Sequence, residues 1–183
     1  ESIANGNADI AFMGAQGYIE ANAKNDKVQP LVVPSGASGT IDDAVYHSWL
    51  AVQKENADSY KDGEEYKIDA IADKKFSFVS NSSTSGFKVP SDGIVSYFGE
   101  MDEYKELKAE DLLEGGKFFS EVQYGGSHQG SAVNLLSGKS DAAAFCDSCV
   151  QNYVELSEGE KNTAGAVYKV KEDAAEPFNS VPG

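Results

Sequence analysis

Short apolar segments alternate with amphipathic segments along most of this 183-residue chain. Apolar runs of about four to eight residues predict strands, and apolar residues that recur every three or four positions predict helices. The predicted strands are residues 8–13, 46–52, 76–79, 118–124, 141–145 and 163–170, and residues 28–33 form a further short apolar run. The predicted helices are residues 16–23, 86–98, 104–113, 127–136 and 146–156. This alternation is typical of an α/β fold with a mainly parallel sheet and flanking helices.

Two predicted strands end in turns of small polar residues, and each turn leads into a predicted helix. Strand 76–79 is followed by the turn Ser83–Gly86, and strand 118–124 by the turn Gly125–His128. The first N–H groups of a helix have no intrahelical acceptor and carry partial positive charge, so such turns suit a phosphate-like oxyanion. Ordinary helix capping explains either turn alone. Because ligands of parallel sheets lie beyond the carboxyl ends of the strands, we expect the two turns to converge.

Four side chains near these turns are candidates for specific roles. Ser127 is a candidate N-cap, and His128 adds a ring N–H whose charge changes near neutral pH, unless it is only a capping or surface histidine. Tyr46 opens strand 46–52, where its hydroxyl can donate to an oxyanion, although most tyrosines only fill a core or a surface. Asp147 either complements a helix N-terminus or pairs with a cationic group of a ligand.

The charge of the chain narrows the classes of partner. It has 30 acidic and 15 basic residues and a formal net charge of −15, which argues against nucleic acid or an anionic membrane as the main partner. A protein this acidic needs neutral hydrogen-bond donors that point at the anion in order to bind it.

No segment approaches the length of a transmembrane helix, and residues 1–6 are neither a signal peptide nor a lipidation signal. The length fits one large domain or two small lobes.

The two cysteines, Cys146 and Cys149, have the spacing C-x-x-C. Two cysteines are too few for a disulfide scaffold, and a structural zinc site usually needs four Cys or His ligands. Only His47 and His128 could complete a zinc site, and both are distant in sequence. The context of a thioredoxin-type redox motif is also missing. We expect an ordinary pair, reduced or joined in a local disulfide, and we expect no metal and no cofactor.

Four stretches carry a resemblance to a known family. They are residues 8–14 (ADIAFMG), 45–52 (VYHSWLAV), 81–90 (NSSTSGFKVP), and 125–128 (GGSH) followed by 140–144 (SDAAA). In order and spacing they resemble the phosphonate/phosphate/phosphite substrate-binding proteins of ABC transporters, which have the type 2 periplasmic-binding-protein fold. The stretch with the S-T-S-G turn is the most specific of the four.

The resemblance implies a role for each matching position. The serine and threonine turn and the histidine turn would bind the phosphonate or phosphate oxygens, a tyrosine would reach them from the hinge strand, and a glutamine would line the cleft from the first lobe. Asp147 stands where some phosphonate binders place a longer glutamate for a substrate amine. The implied ligand-binding residues are Ser83, Thr84, Ser85, Ser127, His128, Tyr46, Asp147 and Gln16.

The resemblance also implies a division of the chain into lobes. Residues 1–45 correspond to part of lobe 1, residues 46–176 to a complete lobe 2, and residues 177–183 to the start of the return crossover. Because family members are much longer, the chain is expected to be a fragment. Closure of two lobes around the ligand is how such proteins bind.

The expected function is therefore that of a receptor and not of an enzyme. A small oxyanion would dock between the lobes, and a monomeric, extracytoplasmic protein would present it to the permease of an ABC importer. Three alternatives stay open: a receptor of the same fold for a phosphorylated vitamin precursor or a sulfonate, a serine hydrolase, and a surface interaction domain that has lost transport. The hydrolase lacks support because no G-x-S-x-G elbow surrounds any serine.

Overall fold

The computed structural model describes residues 1–181, which contain eight strands and four α-helices. The strands are β1 (Ser48–Val52), β2 (Lys61–Asp62), β3 (Glu65–Tyr66), β4 (Lys75–Phe78), β5 (Glu121–Tyr124), β6 (Ala142–Cys146), β7 (Val154–Leu156) and β8 (Tyr168–Val170). The α-helices are α1 (Ala15–Lys24), α2 (Val89–Gly99), α3 (His128–Leu136) and α4 (Asp147–Val150). A π-helical turn, Thr84–Lys88, precedes α2, and short 3₁₀ segments lie at Lys54–Tyr60, Asp69–Ile71, Asp102–Tyr104, Ala109–Leu112 and Phe178–Ser180.

Four strands form the central sheet in the order β1-β6-β4-β5. Strand β4 runs parallel to both β5 and β6, and β1 runs antiparallel to β6, with Ser48 opposite Cys146. This mostly parallel sheet with flanking helices confirms the predicted α/β fold. Since β1 is antiparallel, its amino end lies at the same edge of the sheet as the carboxyl ends of the other three strands.

Side chains alternate between two buried faces of this sheet, as expected when helices cover both sides. On one face Phe76 and Phe78 pack with Phe87 and with α2. On the other face Val79 and Phe145 pack with α3. The two faces explain why all five residues of β6 are buried.

A buried hydrogen-bond network fixes α3 against the sheet. The Ser131 hydroxyl lies 2.9 Å from the carbonyl oxygen of Ser77 and 3.0 Å from that of Ala144, so it contacts β4 and β6 together. The side-chain amide of Asn134 donates to the Ser77 hydroxyl at 3.1 Å. Buried polar groups that are bonded in this way stabilise one arrangement of the elements. These hydrogen bonds therefore fix the position of the start of α3 relative to β4 and β6.

The prediction of a strand at residues 8–13 was wrong, and the apolar run at residues 28–33 forms no strand either. In the structure both segments are irregular, and their apolar side chains lie in solvent, including Phe12 with 97% and Val32 with 89% of its surface exposed. A strand needs a neighbour for its backbone N–H and C=O groups. Within residues 1–181 no strand pairs with either segment.

Other boundaries also differ from the prediction. The predicted helix 104–113 is replaced by 3₁₀ segments, because the Asp111 carboxylate accepts the Lys108 N–H and starts a new turn there. The predicted helix 146–156 ends at Val150, and its last residues form β7 instead. Residues 182 and 183 of the predicted crossover 177–183 lie outside the described residues.

None of the helices between residues 1 and 181 has the length and apolar character that a membrane crossing requires.

Candidate functional site

The predicted site residues gather at one edge of the central sheet. Backbone bonds from Gly125 N to the carbonyl oxygen of Phe78 (2.8 Å) and from Gly126 N to that of Val79 (2.9 Å) join the ends of β5 and β4. The N–H of Asp147 donates to the carbonyl oxygen of His47 at 3.0 Å, which joins the end of β6 to the start of β1. All four strand ends that carry predicted ligand-binding residues therefore meet at this edge.

The turn after β4 is held by its own side chains and presents free backbone donors. The Ser83 hydroxyl oxygen caps the π-helical turn by accepting the Gly86 N–H at 3.1 Å. Within residues 1–181, the amide N–H groups of Thr84 and Ser85 donate to no protein acceptor. Orphan N–H groups at a helix start are the donors that bind oxyanions. Ser83 thus orders the turn, and Thr84 and Ser85 supply its backbone donors.

Helix α1 contacts this turn from the amino-terminal part of the chain. The N–H of Gln16 donates to the Thr84 hydroxyl oxygen at 3.3 Å. A Cβ atom on Gly14 would lie only 2.6 Å from that oxygen, so a side chain at position 14 would displace the Thr84 hydroxyl. An ion pair between Lys88 and Glu20, 3.5 Å long, adds a second link. The structure therefore brings Gln16 next to the turn, by its backbone.

His128 begins α3 in a defined tautomer. The Ser127 hydroxyl oxygen accepts the Gly130 N–H at 2.9 Å and so caps the helix. The Cys146 backbone N–H lies 3.0 Å from Nδ1 of His128. Because a backbone N–H can only donate, Nδ1 must be the acceptor, and the proton of the neutral ring lies on Nε2. Burial lowers the pKa of His128 below the ordinary histidine value, so near neutral pH the ring is an uncharged Nε2–H donor.

This lowered pKa predicts that acid weakens the fold through His128. A histidine in the unfolded chain binds a proton near pH 6.5, about its ordinary pKa, whereas the folded ring stays neutral to a lower pH. Between these two values the unfolded chain binds more protons, so the stabilisation is complete above about pH 6.5 and is lost as the pH falls through the folded pKa. Urea unfolding at pH 7 and pH 5 measures this loss.

The variant His128→Gln should show a smaller loss of stability between pH 7 and pH 5, because a glutamine oxygen can accept the Cys146 N–H without titrating. His47→Gln is the matched control, since it removes the other histidine and leaves His128 in place. An equal loss in the wild-type protein and in His128→Gln would show that His128 does not carry the effect.

The Asp147 carboxylate is hydrogen-bonded to His47, in the segment that leads into β1. Its carboxylate accepts the backbone N–H of His47 at 2.9 Å and lies 3.0 Å from Nδ1 of the same histidine. The Asp147 side chain is 18% exposed and that of His47 is 67% exposed. In this structure Asp147 therefore joins β6 to the segment before β1. Tyr46, the preceding residue, is exposed at the same edge.

One glycine of the turn Gly125–His128 and one glycine of α3 allow close packing between β5 and α3. The space that a Cβ on Gly125 would fill is occupied by backbone atoms of Gly130 and Ser131. A Cβ on Gly130 would in turn overlap the carbonyl oxygen of Gly125. The two glycines thus allow α3 to start directly against the end of β5.

Cys146 and Cys149 are joined in a disulfide, one of the two states left open by the sequence. The bond closes a four-residue loop between Cys146, the last residue of β6, and Cys149, within α4. In the described part of the chain, no group of three or more His, Cys, Asp and Glu side chains could hold a metal ion.

Sequence reasoning missed several residues that order this edge. The Ser48 hydroxyl donates to the carbonyl oxygen of Ser85 at 2.6 Å and so links β1 to the turn Ser83–Gly86. Ser131 anchors α3, and His47 holds Asp147. A serine at the start of a strand and one inside a helix have no distinguishing local pattern, so only the fold reveals these contacts.

A cleft of about 610 Å³ lies elsewhere, between β1 and the β7–β8 hairpin. Its lining is mostly apolar and includes Trp49, Leu50 and Tyr168, but none of the eight predicted ligand-binding residues. This cleft is therefore separate from the candidate site.

Comparison with known proteins gives two matches. A profile of the family described as "ABC transporter, phosphonate, periplasmic substrate-binding protein" matches residues 1–170. The chain is 27% identical over 150 residues to the Phosphate-import protein PhnD of Mycolicibacterium smegmatis (strain ATCC 700084 / mc(2)155), an alignment that covers 82% of this chain and 42% of the relative. The chain thus spans about two fifths of the length of this relative. No solved structure gives a significant match.

Proposed function

Because this chain belongs to the family of periplasmic substrate-binding proteins of phosphonate ABC transporters, we propose that it binds a phosphonate- or phosphate-like oxyanion at the shared edge of its sheet. Proteins of this family are transporter binding proteins and not enzymes, as the sequence led us to expect. The serine hydrolase alternative is therefore set aside.

The observation that carries the proposal is the convergence of neutral donors at one edge. Thr84 and Ser85 offer free backbone N–H groups and hydroxyls, and His128 on the neighbouring turn is an uncharged donor. Hydrogen bonds to an ionised acceptor are about twice as strong as neutral ones, so such donors bind an oxyanion without a cationic side chain. This suits a chain of net charge −15, whose overall field repels anions.

The lobe assignment belongs to the same proposal. Residues 1–45 would form part of lobe 1, residues 46–176 lobe 2, and residues 177–183 the start of the return crossover. The contact between Gln16 and Thr84 supports a ligand position between the lobes. A monomeric protein outside the cytoplasmic membrane would then deliver the anion to its ABC permease. In this arrangement Tyr46 and Asp147 lie on the crossover side of the ligand.

Isothermal titration with phosphate, phosphite, methylphosphonate and 2-aminoethylphosphonate tests the proposal. We expect one of them to bind, and we expect Thr84→Ala and His128→Ala each to weaken that binding by about 1–3 kcal/mol, because each removes a donor to a charged acceptor. Thr84→Ser retains the hydroxyl and should restore most of the affinity. Thr163→Ala, in an exposed loop, is the matched control.

The outcomes separate the alternatives. Wild-type affinity in both alanine variants would place the ligand elsewhere in the chain. Binding of a sulfonate or a phosphorylated vitamin precursor in preference to the four anions would favour a receptor with another ligand. An absence of binding to any small anion would favour a surface interaction domain.

A further inference from the structure

The disulfide loop Cys146–Cys149 lies at the proposed site and contacts both the first turn of α3 and the segment that enters β1. It begins at the carboxyl end of β6, in the middle of the edge where the strand ends meet. The proposed binding of an oxyanion does not itself require a disulfide. The loop nevertheless contacts both the histidine turn and the segment that enters β1.

On one side the loop holds the first turn of α3. The N–H of Cys146 donates to Nδ1 of His128 at 3.0 Å and so selects the tautomer with the proton on Nε2. The side-chain amide of Gln129 donates to the carbonyl oxygen of Cys149 at 3.0 Å. The two half-cystines thus provide backbone partners for two consecutive residues of the helix.

On its other side the loop holds the segment before β1. Asp147, between the two half-cystines, accepts the His47 N–H at 2.9 Å and contacts the ring of His47 at 3.0 Å. Its own N–H donates to the carbonyl oxygen of His47 at 3.0 Å. This segment continues into Tyr46 and connects residues 1–45 to the sheet.

We propose that the Cys146–Cys149 disulfide loop is a positioning element of the anion site, and that reduction of the disulfide weakens anion binding. The disulfide restricts the backbone at Cys146 and Cys149, which supplies the bonds to His128 and Gln129. Without it, α4 has only one turn of helix to hold these groups in place, and a helix this short has little stability of its own. The anion in this proposal is the one named in the proposed function, so this part rests on that function. The effect of the disulfide on His128 does not depend on it.

The exposure of the two half-cystines indicates how a reductant reaches the bond. Cys146 is 2% exposed, whereas Cys149 is partly exposed. A thiolate of a dithiol reductant would attack the Cys149 sulfur, forming a mixed disulfide, and the Cys146 sulfur would leave as a thiolate and take up a proton. The second thiol of the reductant would then attack the mixed disulfide and release Cys149. The protein gains two electrons and two protons, and the reductant becomes a cyclic disulfide.

The test compares oxidised and dithiothreitol-reduced wild-type protein, with thiol titration to establish that two thiols have formed. Isothermal titration with phosphate and methylphosphonate measures affinity, and ¹⁵N NMR of the His128 ring measures its tautomer and pKa. We expect reduction to lower the affinity by about fivefold or more. We also expect the Nε2–H tautomer to lose its dominance and the pKa of His128 to rise toward the ordinary value.

The double variant Cys146→Ser/Cys149→Ser should resemble the reduced protein and should not respond to dithiothreitol, which controls for other effects of the reductant. Because the reduced wild-type protein carries no substitution, the test does not depend on whether the variant folds. If reduction changes neither the affinity nor the tautomer, the proposal is wrong. If the oxidised protein binds no anion, the proposed function fails, while the His128 spectrum still decides whether the loop positions the ring.

Discussion

Replacing Phe78 with alanine is expected to lower the free energy of unfolding by about 3–5 kcal/mol, the range for deletion of a fully buried aromatic side chain. Phe78 is 0% exposed and lies on the face of the sheet that packs against α2. Its ring centroid is 4.5 Å from that of Phe76, 4.9 Å from that of Phe87 and 5.9 Å from that of Phe119. The substitution would remove this set of contacts and leave a cavity among rigid rings that cannot easily collapse.

Phe78 also supports the candidate site directly. Its carbonyl oxygen accepts the N–H of Gly125, and its ring contacts Phe87, inside the π-helical turn. We therefore expect Phe78→Ala to loosen the Thr84–Lys88 turn as well as the core. Urea unfolding followed by circular dichroism measures the loss of stability.

The matched control for Phe78→Ala is Phe12→Ala, the same substitution at a side chain that is 97% exposed. It should change stability by less than about 0.5 kcal/mol, as is usual for surface positions. Similar losses in both variants would mean that the phenylalanine core is not where the structure places it.

Replacing Gly125 with alanine is expected to lower the free energy of unfolding by about 3 kcal/mol, at the upper end of the usual range for overpacking. The added Cβ would overlap the backbone nitrogen of Ser131 and the carbonyl carbon of Gly130. Backbone atoms in the first turn of a helix cannot rotate away as a side chain can. The start of α3, and His128 with it, would have to move.

Gly93→Ala provides the control for Gly125→Ala. Gly93 lies within α2, and nothing would contact an added Cβ there within 4 Å. Because alanine has the higher helix propensity, this substitution should raise stability by about 0.5–1 kcal/mol. Urea unfolding measures the change in the free energy of unfolding for both variants. Changes of the same sign and size would refute the close packing of Gly125.

Where the pattern of residues is local, it predicted the fold well. The apolar runs at 76–79 and 141–145 form β4 and β6, and residues 16–23 and 127–136 form α1 and α3, each within a residue or so of the expected ends. Strand and helix periodicity depend on neighbouring residues alone, and Ser127 caps its helix through a residue three positions away. Such features are therefore visible in the chain itself.

The α/β class, the two strand-to-helix turns and the residues that they carry can be derived from the order of residues alone. Three further features are visible only in the folded molecule: residues 8–13 and 28–33 have no strand partner among residues 1–181, β1 is antiparallel, and Asp147 holds His47. The folded structure also assigns the His128 proton to Nε2, through the N–H of a residue 18 positions away. Strand pairing, burial and the histidine tautomer each depend on a partner distant in sequence, and no local pattern of residues specifies such a partner.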